Sequence, residues 1–173
     1  LIKRIVVTGP ESVGKSTLCA QLASHYGTVF VPEFAREYVE NLGRPYEYQD
    51  VEQIARTQIE QLSAEYPQAH DFVFFDTGLI ITKVWFDVVY GMVPDFLTQA
   101  LSEIKIDLYL LLHPDIEWKA DGVRENSGSN RLKLYDLYEK ELEKRGFSYK
   151  KISGFGQKRF ENAILATESA RCL

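Results

Sequence analysis

The chain has 173 residues, 45% of them hydrophobic and 26% charged, which is long enough and apolar enough for one domain around a real core. A formal net charge of -5 argues against nucleic acid as a main partner, because binding to a phosphate backbone shows itself as a basic face. No apolar run reaches the length of a membrane span, no stretch reads as a secretory signal, and Cys19 and Cys172 form no disulfide or zinc spacing, so a cytoplasmic protein without a membrane partner is expected.

No repeat or low-complexity stretch divides the chain, and residues 1–173 read as a single domain. Ile2 to Thr8, "IKRIVVT", is short and rich in β-branched residues and predicts a buried strand. "GPESVGKST" follows, and then Leu18, Gln21, Leu22 and His25 recur at helical spacing until Gly27. Thr28 to Val31 predicts a second strand, Pro32 a turn, and a helix begins near Phe34. Residues 43–50, "GRPYEYQD", read as a polar, turn-rich interruption. Val51, Ile54, Ala55, Ile59 and Leu62 mark one face of a helix that ends before Pro67. "DFVFFD", 71–76, is a fully buried strand by composition, and Ile80, Ile81, Val84, Trp85 and Val88 pattern the helix after it, closed by Gly91 and Pro94. "DLYLLL", 107–112, is a fourth strand, "YKKI", 149–152, a fifth, and Phe160, Ala163, Ile164 and Thr167 give a last helix. Strands that alternate with helices imply an α/β fold with a five-stranded parallel sheet covered on both faces. Ligands of such sheets sit beyond the carboxyl ends of the strands.

The first strand end carries the strongest motif. Gly9, Gly14, Lys15 and Ser16 fit G-x-x-x-x-G-K-[ST], in which backbone amides cradle phosphate oxygens, the lysine reaches the outer phosphates and the hydroxyl faces a metal ion. Strand, loop, helix is the order the motif requires. Gly9, Glu11, Ser12, Val13, Gly14, Lys15, Ser16 and Thr17 are therefore the expected nucleotide-binding residues, with ATP as the nucleotide and Mg²⁺ as the metal.

Two further strand ends carry acids. Asp76 stands where a carboxylate holds Mg²⁺ together with the Ser16 hydroxyl; the alternative is a cap on the next helix. "PEFAREY" places Glu33 toward the terminal phosphate, with Arg36 and Glu37 one helical turn on. A carboxylate there can orient an acceptor hydroxyl and a cation can neutralise developing charge. The alternative is an exposed ion pair at a helix start, of small worth. Either Glu33 or Asp76 can orient the acceptor. "HPDIEWKADGVRENSGSNR", 113–131, is long for a connection and bears Arg124 and Arg131, so about 114–131 reads as a lid whose arginines close over the phosphates.

"GPESVGKSTL", "VPEFAREYVE", "FFDT", "VWFDVVYG" and "LLHPDIEWKADGVRE", in this order, resemble the nicotinamide riboside kinase domain of bacterial bifunctional NAD-salvage proteins and their single-domain relatives. The likeness covers residues 2 to about 165. It implies a P-loop NTPase fold of the nucleoside monophosphate kinase type, and ATP-dependent 5′-phosphorylation of nicotinamide riboside as the reaction. It also implies Lys15, Glu33, Asp76, Arg124 and Arg131 as catalytic residues and Glu33, Arg36 and Asp76 around the acceptor. Trp85 and Tyr90 would offer aromatic surface to the pyridinium ring, although their spacing of five does not set them squarely on one helix face and core packing is the alternative for Trp85. Ser153 and Gly154, with Arg159 beyond them, match a loop beside adenine.

Other classes ask for features not found. A switch GTPase needs an N-K-x-D element after the fourth strand, and none occurs. A monophosphate acceptor calls for clustered arginines, where this side offers Arg36, Arg44 and Arg56. Another small-molecule kinase on the same scaffold and a nucleotide-binding module without turnover stay open.

Overall fold

The computed structural model describes residues 2–115 and 129–172. Five parallel strands, β1 (Lys3–Thr8), β2 (Val29–Val31), β3 (Phe72–Asp76), β4 (Leu108–Leu112) and β5 (Tyr149–Ile152), lie in the order β2-β3-β1-β4-β5. The register sets Val7 opposite Asp76 and Thr8 opposite Leu111, which brings the ends of the three central strands together. β3 and β4 are buried at every residue, as expected of strands covered on both faces.

The period of two sorts the side chains into two cores. Val6, Val73, Phe75, Tyr109 and Leu111 point to one face, covered by α3 (Tyr48–Ser63), α4 (Leu79–Trp85), α5 (Asp95–Glu103) and α6 (Ser129–Lys144). Ile5, Val7, Phe72, Phe74, Leu108, Leu110 and Leu112 point to the other, covered by α1 (Lys15–Tyr26) and α7 (Gly156–Ser169). α2 (Phe34–Asn41) leaves the end of β2 and contacts α3. Among the described residues no helix is long and apolar enough to cross a membrane.

Four local features differ from the sequence reading. α3 starts inside the stretch read as an interruption: Glu47 and Asp50 form a reciprocal capping box, in which the Glu47 N–H donates to Asp50 Oδ2 at 2.7 Å. α4 does not run on as one α-helix but widens into a π-helical turn, Phe86–Tyr90, before Gly91. α5 was not anticipated; Pro94, read as a terminator, instead stands immediately before its first turn. The lid boundary also moves, because residues 129–131 are the first turn of α6 and Arg131 is buried there. Arg124 and the rest of the lid from 116 to 128 lie outside the described residues.

Candidate functional site: one cleft from the phosphate loop to an aromatic slot

The loop between β1 and α1 is fixed by backbone geometry and by three cations. Gly9 has φ +146°, and a Cβ added there would come within 2.8 Å of the Leu112 carbonyl oxygen, so only glycine lets the loop leave β1 this close to β4. Ser12 and Gly14 are both left-handed, at φ 58° and 80°, which turns the chain sharply into α1. Lys15, 9% exposed, donates from Nζ to the Pro10 carbonyl at 3.0 Å. From the far side Arg131 Nη2 donates to the Ser12 carbonyl at 3.2 Å, and Arg159 Nη1 donates to the Val13 carbonyl. Engaging these carbonyls from outside holds the loop in one shape before any anion arrives.

Arg159 reaches further than the loop. The same guanidinium donates to the Gly154 carbonyl at 2.6 Å, to the His113 carbonyl at 2.8 Å and to Asp115. Asp115 in turn accepts the Gly154 N–H at 2.6 Å. One buried residue, 4% exposed, therefore joins the phosphate loop, the end of β4 and the loop after β5. Burial lowers its pKa and the Asp115 charge opposes that shift; an arginine stays protonated regardless. Ser153 and Gly154 lie in that outer loop, Ser153 accepting from Asn162 at 3.1 Å, and neither lines the cleft.

A cleft of about 390 Å³ runs from the phosphate loop to the far ends of α2, α3 and α4. At the loop end it is lined by the whole of residues 11–17 with Gly9, and by Glu33, Arg36 and Thr77. Glu33 occupies the N-cap position of α2 with extended backbone, which brings it to the cleft wall. Arg36 pairs with Glu40 at 2.9 Å, both half-exposed, so a helix-start ion pair of the kind offered as an alternative to function exists here, with Glu40 as one partner. Asp76 is buried at 4% exposure beside the cleft, and it is the next residue, Thr77, that lines it. Thr77 holds a left-handed φ of 73° and its N–H donates to the Val7 carbonyl at 3.0 Å. Such a non-glycine outlier is costly and clusters at ligand sites. The charges converge: burial first, then Asp76, pushes the Cys19 thiol well up, Lys15 opposes, and Glu33 adds to the rise.

Away from the phosphates the walls turn apolar and aromatic. Trp85 lines the cleft with Ile81, Val88 and Val89, and Tyr46 meets its ring edge-on at 4.8 Å between centroids. Tyr90, expected beside it, is not among the lining residues; it packs against Tyr48 and Phe86, because the π turn rotates it toward α3. Arg44 is held by Asp50 in a two-pronged pair at 2.7 and 3.0 Å, and Arg56 lies over the Phe96 ring at 4.0 Å. Neither lines the cleft.

Sequence reasoning missed Tyr46, Gln58, Thr82 and Tyr138, which all line the cleft. For Gln58 a signal existed: it falls on the apolar stripe of α3, between Ala55 and Leu62, where a polar residue needs a reason. Tyr138 on α6 has its phenol raised by burial and then by the charges of Glu11 and Glu33, which sets it beside both acids.

Residues 4–159 match the family model described as an AAA domain (AAA_28). The chain belongs to that family. It is 28% identical over 156 residues to the Trifunctional NAD biosynthesis/regulator protein NadR of Escherichia coli (strain K12), a match covering 87% of this chain and 38% of the relative. The fold is that of the NadR protein solved in complex with NR, at a TM-score of 0.85 and 24% identity, over 99% of this chain and 52% of the other. Deoxyadenosine kinase from M. mycoides shares it at a TM-score of 0.68 and 14% identity, over 96% and 98% of the two chains. The chain thus spans about two fifths of the curated relative's length. The architecture is a P-loop domain of the nucleoside and nucleotide kinase type.

Proposed function

We propose that this chain is an ATP-dependent kinase that phosphorylates the 5′-hydroxyl of nicotinamide riboside. The observation that carries the reading is that one cleft is lined by the phosphate loop, by an acid and a cation, Glu33 and Arg36, and by the aromatic side chains of Tyr46 and Trp85. A nucleoside laid along it puts its sugar hydroxyl next to Glu33 and its base next to Trp85. NadR supports the choice of base, as a relative by sequence and as a structure in complex with NR. The engagement of Arg44 by Asp50 and of Arg56 by Phe96 supports an acceptor without a phosphate of its own.

The chemistry assigned to the chain's own residues is positioning and charge stabilisation. The loop amides and the α1 amino end take the β and γ phosphates of ATP, and Lys15 leaves the Pro10 carbonyl for them. Glu33 orients the attacking hydroxyl and accepts its proton; Asp76 is the other acid near enough to matter. The donor set fits Mg²⁺: the Ser16 hydroxyl and the Asp76 carboxylate are hard oxygens flanking the loop. Among the described residues no three acidic, histidine or cysteine side chains are grouped so as to hold a metal. When bound, such an ion neutralises charge on the transferred group.

The test is a panel of nucleosides, nicotinamide riboside among them, incubated with Mg·ATP and the full chain and read by mass for the monophosphate. Nicotinamide mononucleotide formed at a rate clearly above other products is the expected result. Nucleotide binding without any phosphorylated product would overturn the reading.

A further inference from the structure

The acceptor end of the cleft is apolar except for a buried polar pair. Gln58 on α3 is 4% exposed and Thr82 on α4 is 1% exposed, and both line the cleft. The Thr82 hydroxyl donates to Gln58 Oε1 at 2.5 Å. As placed, the amide turns its oxygen to α4, and the nitrogen with its two N–H donors is the end left over. Nε2 makes no hydrogen bond to any described residue, nor is it among the buried polar atoms sealed off without a partner. It therefore borders open space, and the space that Gln58 lines is this cleft. A glutamine kept in an apolar stripe, with its oxygen tied down and its donors turned to a binding cavity, has a purpose that packing does not supply.

We propose that Gln58 determines acceptor specificity by donating from Nε2 to a neutral carbonyl oxygen on the flat head group lodged against Trp85. This deepens the proposed function and rests on it: for nicotinamide riboside the oxygen is that of the carboxamide. Thr82 is the positioning residue that keeps the donor end inward. Among the described residues, Arg44 and Arg56 are engaged away from the cleft, and Arg36, which lines it, already has a carboxylate partner in Glu40. The site should then rank a carboxamide head above both a bare pyridinium and a carboxylate head.

The experiment is steady-state kinetics of the full chain with three ribosides that differ only at this group: carboxamide, hydrogen and carboxylate. Wild type is expected to favour the carboxamide over the bare ring by about tenfold or more in kcat/KM, as sites built to hydrogen-bond a substrate group do. In Gln58→Leu that ratio is expected to fall toward one. A merely structural role would lower both acceptors together and leave the ratio intact, and an intact ratio overturns the proposal. Gln58→Glu keeps the shape and guards against a Leu variant that fails to fold; its discrimination against the carboxylate head should widen about tenfold, because two carboxylates would face each other. An unchanged discrimination counts against Gln58. Should wild type phosphorylate none of the three but another nucleoside, the proposed substrate fails instead. The Gln58→Leu ratio, read on that nucleoside and its carbonyl-free analogue, then decides the role of Gln58 alone.

Discussion

Replacing Arg159 by methionine keeps most of the side-chain bulk and removes one guanidinium from four acceptors at once. The Val13 carbonyl sits in fully buried surroundings, so its loss leaves a sealed acceptor, worth about 1–3 kcal/mol. The His113 and Gly154 carbonyls are half-buried and can recover water, which makes their losses small. The charged bond to Asp115 adds about 1.5–3 kcal/mol at most, discounted because the carboxylate keeps 27% of its side-chain surface in solvent and also accepts the Gly154 N–H. The sum is about 3 kcal/mol, at the lower edge of what breaking a buried pair costs. Urea unfolding should show an unfolding free energy lowered by this amount, read as a lower midpoint at unchanged slope. Because the lost bond to Val13 is in the phosphate loop, the KM for ATP should also rise, by about tenfold, more than that for the acceptor. An unfolding free energy within about 0.5 kcal/mol of wild type together with an unchanged KM for ATP would refute the idea that Arg159 holds the loop in shape.

Three other outcomes follow from the same geometry. Lys15→Ala should lower turnover by about 10²-fold or more, the loss of one preorganised charge-stabilising donor, measured by ADP release; wild-type turnover would contradict its role. Glu33→Gln should reduce kcat far more than it changes the KM for ATP, because the side chain is assigned to the acceptor hydroxyl, whereas an effect confined to ATP would move it to the metal side. The Asp50 carboxyl is held at about 2 by Arg44 first, then by the Glu47 N–H and Tyr38, against an ordinary value of 3.8. A depressed folded pKa gives stability that is present above the unfolded value and lost as pH falls, so this pair should contribute an acid loss between about pH 4 and 2. In Asp50→Asn the urea midpoint should be lower at neutral pH and flatter across that window; an identical pH profile would mean that the pair does not survive in solution.

The phosphate loop and all five strands were legible because each depends on local chemistry. β3 and β4 are unbroken apolar runs, and the loop needs glycine at two positions for reasons of backbone approach and handedness that no neighbour can supply. Two of the misreadings, at Arg131 and Tyr90, share a cause, which is a partner far away in sequence, whereas the one at Asp50 turns on partners three and six positions away. Arg131 reads as a lid arginine until the Ser12 carbonyl, 119 positions earlier, is brought to it. Asp50 closes a turn-rich stretch until its capping box with Glu47 and its pair with Arg44 convert that stretch into a helix start. Tyr90 sits five residues after Trp85, and whether the two share a face depends on the helix being α or π, a choice made by packing on Tyr48 and Phe86.

The same contrast separates the two ends of the cleft. At the phosphate end, the proposed recognition rests on backbone amides and one lysine, and a nine-residue stretch suffices to specify it. At the acceptor end the wall is assembled from α2, α3, α4, the π turn and α6, each giving between one and four side chains. No short pattern can encode such a wall, and relatives on this scaffold can change acceptor by changing single residues in it. Gln58 is the exception that a sequence betrays, because a polar residue inside an apolar stripe must find its partner either in the core or in a ligand. Thr82 satisfies only its oxygen. The remaining donors then belong to whatever fills the slot, which makes this position the point at which substrate choice is most directly exposed to experiment.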